Sequence, residues 1–177
     1  EGSFLNDTHK DLKADFIIAN PPFNDGDWSG QLLKNDGRWK YGIPPASNAN
    51  FAWIQHFIYH LSTNGIAGFI LADTTLSANS KEEALIRKEI IKSNLVDCII
   101  SLPSHLFSNT QIAACIWIIS KMRSNANYDR KREVLFIDAS RNGKLINRRN
   151  KILKESDIHS IANTYISWVN KGSTVYK

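Results

Sequence analysis

The chain has 177 residues, 42% of them hydrophobic, which is enough to bury one core and sets a single domain as the expectation. No run approaches the roughly eighteen continuous apolar residues of a membrane-spanning helix and no signal peptide opens the chain, which argues for a cytoplasmic protein without membrane contact. Cys98 and Cys115 sit inside apolar runs without C-x-x-C spacing, so they read as reduced, buried thiols and argue against a zinc site.

The net charge of +5 is unevenly placed. Residues 1–120 hold 9 Lys/Arg against 12 Asp/Glu, whereas residues 121–154 hold 11 against 3. A basic segment appended to a nearly neutral domain suits a partner carrying phosphates, and a solvated charged face gives the same count. The chain starts at Glu1-Gly2-Ser3, and functional-looking residues occur within its first two dozen positions, which suggests a piece of a longer protein.

In chain order, the apolar run 14–19 reads as a first strand, followed by the turn Asn20-Pro21-Pro22-Phe23. Residues 24–47 are rich in Gly, Asp, Asn and Trp and lack periodicity, as in a functional or disordered loop. Asn48 can cap a helix running through Phe51, Trp53, Ile54, Phe57, Ile58 and Leu61, with Asn64-Gly65 ending it. Ile66 to Ala72 is a second strand, and Ser80 caps a helix from Lys81 to Lys92 with Glu83 at the capping-box position. Leu95 to Ser101 is a third strand and Ile112 to Ser120 a fourth. The connection between them lacks a helical pattern and is too short for a parallel crossover, so this pair is expected antiparallel. A fifth strand, Val134 to Ile137, precedes a basic turn from Arg141 to Arg149, and Ser156 caps a last helix through Ile158, Ile161, Tyr165 and Trp168.

The turn after the first strand carries the most specific chemistry. Two prolines fix φ and remove two backbone donors, leaving carbonyls with fixed directions. Asn20 adds a side-chain carbonyl and Phe23 an aromatic face, which together suit a planar heterocycle bearing an exocyclic amine, such as adenine. The bland alternative is a strand-end turn with a core Phe. The 24–47 loop mixes Trp28, Arg38, Trp39 and Tyr41 beside this turn, either to close over a base or simply to pack against the domain. His56 and His60 have the i, i+4 spacing of a metal pair, but no third ligand is apparent, so helix-face packing is expected. Asp97, Ser101 and His105 lack a nucleophile elbow and do not make a hydrolytic triad. Asp73 and Asp138 end strands, with site and capping roles equally open.

Longer blocks extend the pattern: Ala19-Asn20-Pro21-Pro22-Phe23-Asn24, Arg38-Trp39-x-Tyr41-Gly42-x-Pro44-Pro45, and Asn48-Ala49-Asn50-Phe51-Ala52-Trp53-x-Gln55-His56. Then come Leu95-Val96-Asp97-Cys98-Ile99-Ile100-Ser101-Leu102-Pro103, Leu106-Phe107-x-x-Thr110 and Phe136-Ile137-Asp138-Ala139. From about Ala14 to Trp168 these resemble the modification (methyltransferase) subunit of type I restriction-modification systems, an N6-adenine DNA methyltransferase.

The resemblance implies an α/β fold, the C-terminal half of a class I S-adenosylmethionine-dependent methyltransferase (Rossmann-like), with strands 4-5-7-6 in that family's numbering and one of them antiparallel. It implies one partial catalytic domain over 1–177, with a sheet core at 1–122 and a basic extension with a C-terminal helix at 123–177. Asn20, Pro21, Pro22 and Phe23 would be catalytic. Trp28, Arg38, Trp39, Tyr41, Asn50, Arg148 and Arg149 would contact substrate or DNA. The methyl donor would be S-adenosyl-L-methionine, touched here by Asn20 only, because no glycine-rich Asp-Pro-x-x-Gly-x-Gly-like loop occurs; Gly65-x-x-Gly68 runs from a helix end into a strand. Double-stranded DNA with a flipped adenine, the specificity and restriction subunits and a second modification subunit would be the partners.

Two departures stand out: Leu71-Ala72-Asp73 replaces an Ala-Asn-Gly common in relatives, and Gly2-Ser3 lacks an intervening Asp. Two rivals stay open, a protein glutamine-N5 methyltransferase and a non-catalytic DNA-docking or assembly domain. These residues alone are expected neither to bind S-adenosylmethionine tightly nor to methylate DNA. Strand 14–19 is expected to form an exposed apolar edge.

Overall fold

The computed structural model describes residues 4–77, 80–107, 111–124, 129–147 and 150–171. Gly2, Ser3, Thr110, Arg148 and Arg149 lie outside the described residues. A five-stranded sheet forms the centre, built from β1 (Ala14–Ala19), β2 (Leu61–Ala72), β3 (Val96–Ser101), β4 (Ala114–Ser120) and β5 (Leu135–Asp138) in the order β1-β2-β4-β3-β5. β4 runs antiparallel to both β2 and β3, and the other four strands share one direction. The antiparallel β3–β4 pair expected from the short connection is therefore present. β5 adds a parallel neighbour on the far side of β3, which makes the basic extension part of the same sheet.

Helices α1 (Asn50–His60) and α2 (Lys81–Lys92) cover one face, and α3 (Glu155–Lys171) covers the other. Strand alternation explains the two layers. Ala67, Phe69, Leu71, Trp117 and Ile119 meet Phe51, Ile54, Ile86 and Ile90 on the first face. Cys98, Ile100 and Ala114 meet Ile161 and Tyr165 on the second. No helix among the described residues is long and apolar enough to cross a membrane.

Several boundaries differ from the sequence reading; β4 starts at Ala114 rather than Ile112, and β5 runs from Leu135 to Asp138. α1 begins at Asn50, and Asn48 caps the turn before it by accepting the Asn50 N–H at 2.9 Å. The helix also ends earlier, at His60, because Leu61 is extended and already belongs to β2; a bulge follows, and Gly65 approaches the Ala14 carbonyl too closely for a Cβ. Ser156 lies inside α3, which starts one residue earlier, so it is not the cap. By contrast Ser80 accepts the Glu83 N–H at 3.1 Å, as a capping serine does. The expected basic turn from Arg141 to Arg149 holds only the first strand of a small hairpin, β6 (Lys144–Leu145), which pairs with β7 (Lys151–Ile152) past that turn.

Candidate target-base site

Because β1, β2, β3 and β5 run in one direction, their C-terminal ends share one edge of the sheet, and the Asn20–Phe23 turn stands on that edge. Asn20 and Pro22 are exposed, Pro21 is buried and Phe23 is half-buried. Among the described residues, neither the Asn20 side chain nor the Pro21 carbonyl has a hydrogen-bond partner. The Phe23 ring meets Phe107, from the segment after β3, edge-on at 5.6 Å and 88°.

The exit from the turn is tied down by amides. Asn24 takes the left-handed conformation (φ 53°), tolerable for Asn. Its N–H donates to Asn50 Oδ1 at 3.1 Å, and Asn50 Nδ2 donates back to Asn24 Oδ1 at 2.8 Å. Ala49 N–H donates to the Asp25 carbonyl at 2.8 Å. Asn50 is buried, so the structure gives this predicted substrate residue an anchoring place beneath the turn. Asp73, just past β2 on the same edge, keeps Oδ1 buried without a partner among the described residues, a feature its strand-end position only hinted at.

The loop residues named from the sequence fall mostly inside. Trp28 and Trp39 are buried against each other and Phe4, with Trp28 Nε1 donating to the Pro45 carbonyl and Trp39 Nε1 to that of Leu33. Arg38 is 5% exposed: it binds both Asp36 oxygens at 2.8 Å, the Phe4 carbonyl at 2.6 Å and His56 Nδ1 at 3.1 Å. Four of its five N–H groups are thus spent inside the protein and the side chain is buried, so these three side chains build the loop's own core. Tyr41 is half-buried, its N–H held by Gln55 Oε1 at 2.9 Å.

The histidine pair does acquire a third group. Asp7, from the segment before β1, brings Oδ2 within 2.9 Å of His60 Nε2, and Asp7, His56 and His60 come within ligand distance of one another. The sequence reading missed Asp7 because it is more than 45 residues away along the chain. Three of the four ring nitrogens in this group already have partners: besides His60 Nε2 on Asp7, His60 Nδ1 faces the Leu12 carbonyl at 2.9 Å, and the Arg38 guanidinium donates to His56 Nδ1. Desolvation, with the nearby His60 and Arg38, pulls the His56 pKa down to about 4. The arrangement is a polar clasp. Beside it lies a cleft of about 500 Å³ lined by Phe4, Asp7, Trp28, Trp53 and His56, adjoining the loop but not the Asn20–Phe23 turn.

Comparison with known proteins follows the same lines. The N-6 DNA Methylase family matches residues 1–176. The chain is 48% identical over 166 residues to the Type I restriction enzyme HindI methylase subunit of Haemophilus influenzae, covering 94% of this chain and 36% of that protein. It is 40% identical to the Type I restriction enzyme MjaIX methylase subunit of Methanocaldococcus jannaschii, covering 93% and 30%. The chain thus spans about a third of the length of the curated relatives it matches. Among solved structures, the type I restriction-modification system methyltransferase subunit from Streptococcus thermophilus superposes with a TM-score of 0.79 at 32% identity, covering 90% of this chain and 33% of that one.

Proposed function

The chain belongs to the N-6 DNA methylase family, and from that membership we propose that it is the target-base portion of a type I modification subunit that methylates adenine N6 in DNA. The observation that carries this reading is the Asn20–Phe23 turn, with two acceptors that have no partner among the described residues and its exit locked by Asn50. The N6 lone pair of adenine is delocalised into the ring. Asn20 Oδ1 and the Pro21 carbonyl each accept one N6 hydrogen, which holds the nitrogen pyramidal and turns its lone pair outward. Phe23 stacks on the extruded base, with Phe107 buttressing the ring. No strong base is needed.

S-adenosylmethionine supplies an electrophilic methyl group when bound. The residues present do not make a cradle for it: no glycine-rich strand-to-helix loop occurs in the 177 residues, and this reading gives the donor only Asn20. We therefore read these residues alone as inactive. Their β1-β2-β4-β3 order corresponds to strands 4-5-7-6 of the class I methyltransferase sheet. Sequence choice would come from a specificity subunit, working with a second modification subunit and, for cleavage, the restriction subunit. The test is methyl transfer to duplex DNA by the full-length subunit in its assembled enzyme. Asn20→Ala should slow turnover by about 10²-fold or more, the scale seen when one polar partner of a reacting group is removed, with DNA affinity retained. An undiminished rate, or methyl appearing on protein glutamine instead of adenine, overturns the reading.

A further inference from the structure

The basic segment, continuous in sequence, is divided by the fold between two opposite edges of the sheet. Arg123 and Arg130 are buried on Asp97, and the Arg132 N–H is held by Asn94 Oδ1 at 2.9 Å, next to the start of β3 and far from the target-base turn. The described residues of 139–154 instead follow the C-terminal end of β5, on the edge that carries Asn20. This stretch contains six Lys/Arg and no Asp/Glu.

The β6–β7 hairpin is a built element. Asp157 Oδ2 accepts from both strands' flanks, Gly143 N–H at 3.0 Å and Lys154 N–H at 2.9 Å. Gly143 has φ 87° and lies so close to the Ile152 carbonyl that a Cβ would collide at 2.7 Å. The Lys151 N–H donates to the His105 carbonyl at 2.8 Å, two residues before the Phe107 that abuts Phe23. Leu153, leaving β7, packs in the same apolar cluster as Phe23, Leu106 and Phe107. The hairpin is thus fixed against the segment that shapes the target-base site. Its Arg141 and Lys144 are exposed and Lys151 half-buried, and none forms a salt bridge with a described carboxylate. Asp138, Glu155 and Asp157 flank the stretch in sequence; Asp138 and Asp157 are turned to backbone N–H groups, and Glu155 is exposed at the start of α3.

We propose that the β6–β7 hairpin is a phosphate-contacting surface that holds the DNA backbone beside the extruded adenine through Arg141, Lys144 and Lys151. The assignment rests on the adenine-methylation reading above. Fixed cations at this position hold the strand next to the turn without reading its sequence, as backbone contacts do.

The test uses the full-length subunit in its assembled enzyme, carrying R141Q, K144Q and K151Q together, with R132Q and K131Q as the control pair on the opposite edge. Three lost phosphate contacts reduce the slope of log K against log salt by about 2.7 for duplex DNA; the control pair keeps the parent slope. Methylation of adenine by the unsubstituted enzyme tests the underlying reading separately. If that enzyme methylates adenine while the triple variant keeps the parent slope, the hairpin assignment alone falls. If the triple variant keeps the slope but no longer assembles with its partner subunits, the hairpin is a protein interface and the proposal is overturned. Failure of the unsubstituted enzyme to bind DNA brings down both readings.

Discussion

At the scale of single residues, the least replaceable contact beneath the turn is the reciprocal amide pair of Asn24 and Asn50. Asn50→Ala removes both bonds that tie the exposed Asn24 to α1, at about 0.5–1.5 kcal/mol each. Urea unfolding should register that loss, and methyl transfer by the parent enzyme should slow with it. His56 gives a pH signature of defined sign. Its folded pKa is near 4, below the 6.5 of a free imidazole, so the unfolded chain binds the extra proton first. The contribution is fully present above pH 6.5 and disappears as pH falls from 6.5 towards 4. Only the unprotonated Nδ1 can accept from Arg38. Thermal melts between pH 7 and 4.5 should show a falling midpoint, with a shallower fall in His56→Gln. The cysteines behave as their apolar runs suggested: burial raises the Cys98 thiol to about 12 and the Cys115 thiol to about 11, far from the range of a reactive thiolate.

At the scale of elements, periodicity located the strands and α2 well because burial there follows one rule: alternate positions of a covered strand and one stripe of an amphipathic helix. It failed where long-range contacts decide. The end of α1 is set by Leu61 pairing with Ala14, a tertiary bond that no local pattern announces. The sequence leaves open whether the Trp28–Arg38–Trp39 loop closes over a base or packs on the domain, since exposed and buried aromatics share one composition; the partners that bury it, Phe4 and His56, come from other segments. Asp97 inside an apolar strand was the visible sign of a buried ion network, yet its partners were not legible. Arg123 Nε lies 2.7 Å from Asp97 Oδ1 as an ionic contact too bent to be a hydrogen bond, Arg130 Nε lies at 3.3 Å, and the Tyr165 hydroxyl donates to Oδ2 at 2.7 Å. Arg123 also donates to the carbonyls of Val96 and Glu133. This network fastens α3 and the β4–β5 connection to β3. Asp97→Ala leaves two guanidinium groups buried without a counter-charge and should cost about 3–5 kcal/mol in denaturant unfolding, with the near-ultraviolet signal of Trp168 changing as α3 loosens.

At the scale of the whole molecule, β1 is an edge strand whose outer face carries Phe16 at 78% and Ile18 at 94% exposure. An open strand of this kind invites pairing. The 177-residue chain by itself should self-associate with rising concentration, and Ile18→Lys should suppress the effect in light scattering; a concentration-independent monomer would contradict it. The reversed strand β4 has a further consequence, for the order in which the chain can fold. β2 and β3 never touch; each bonds to β4, which is synthesised after both. Until residue 120 has left the ribosome, the β1–β2 pair and β3 have no shared hydrogen bond, and α1 and α2 have only half a floor to lie on. Closure therefore comes as a late insertion between two waiting partners. The β2–β4 pairing, which joins strands more than 40 residues apart, is the slow, non-local part of that step, and until it is made Trp117 and Ile119 lack the sheet neighbours that cover them in the fold.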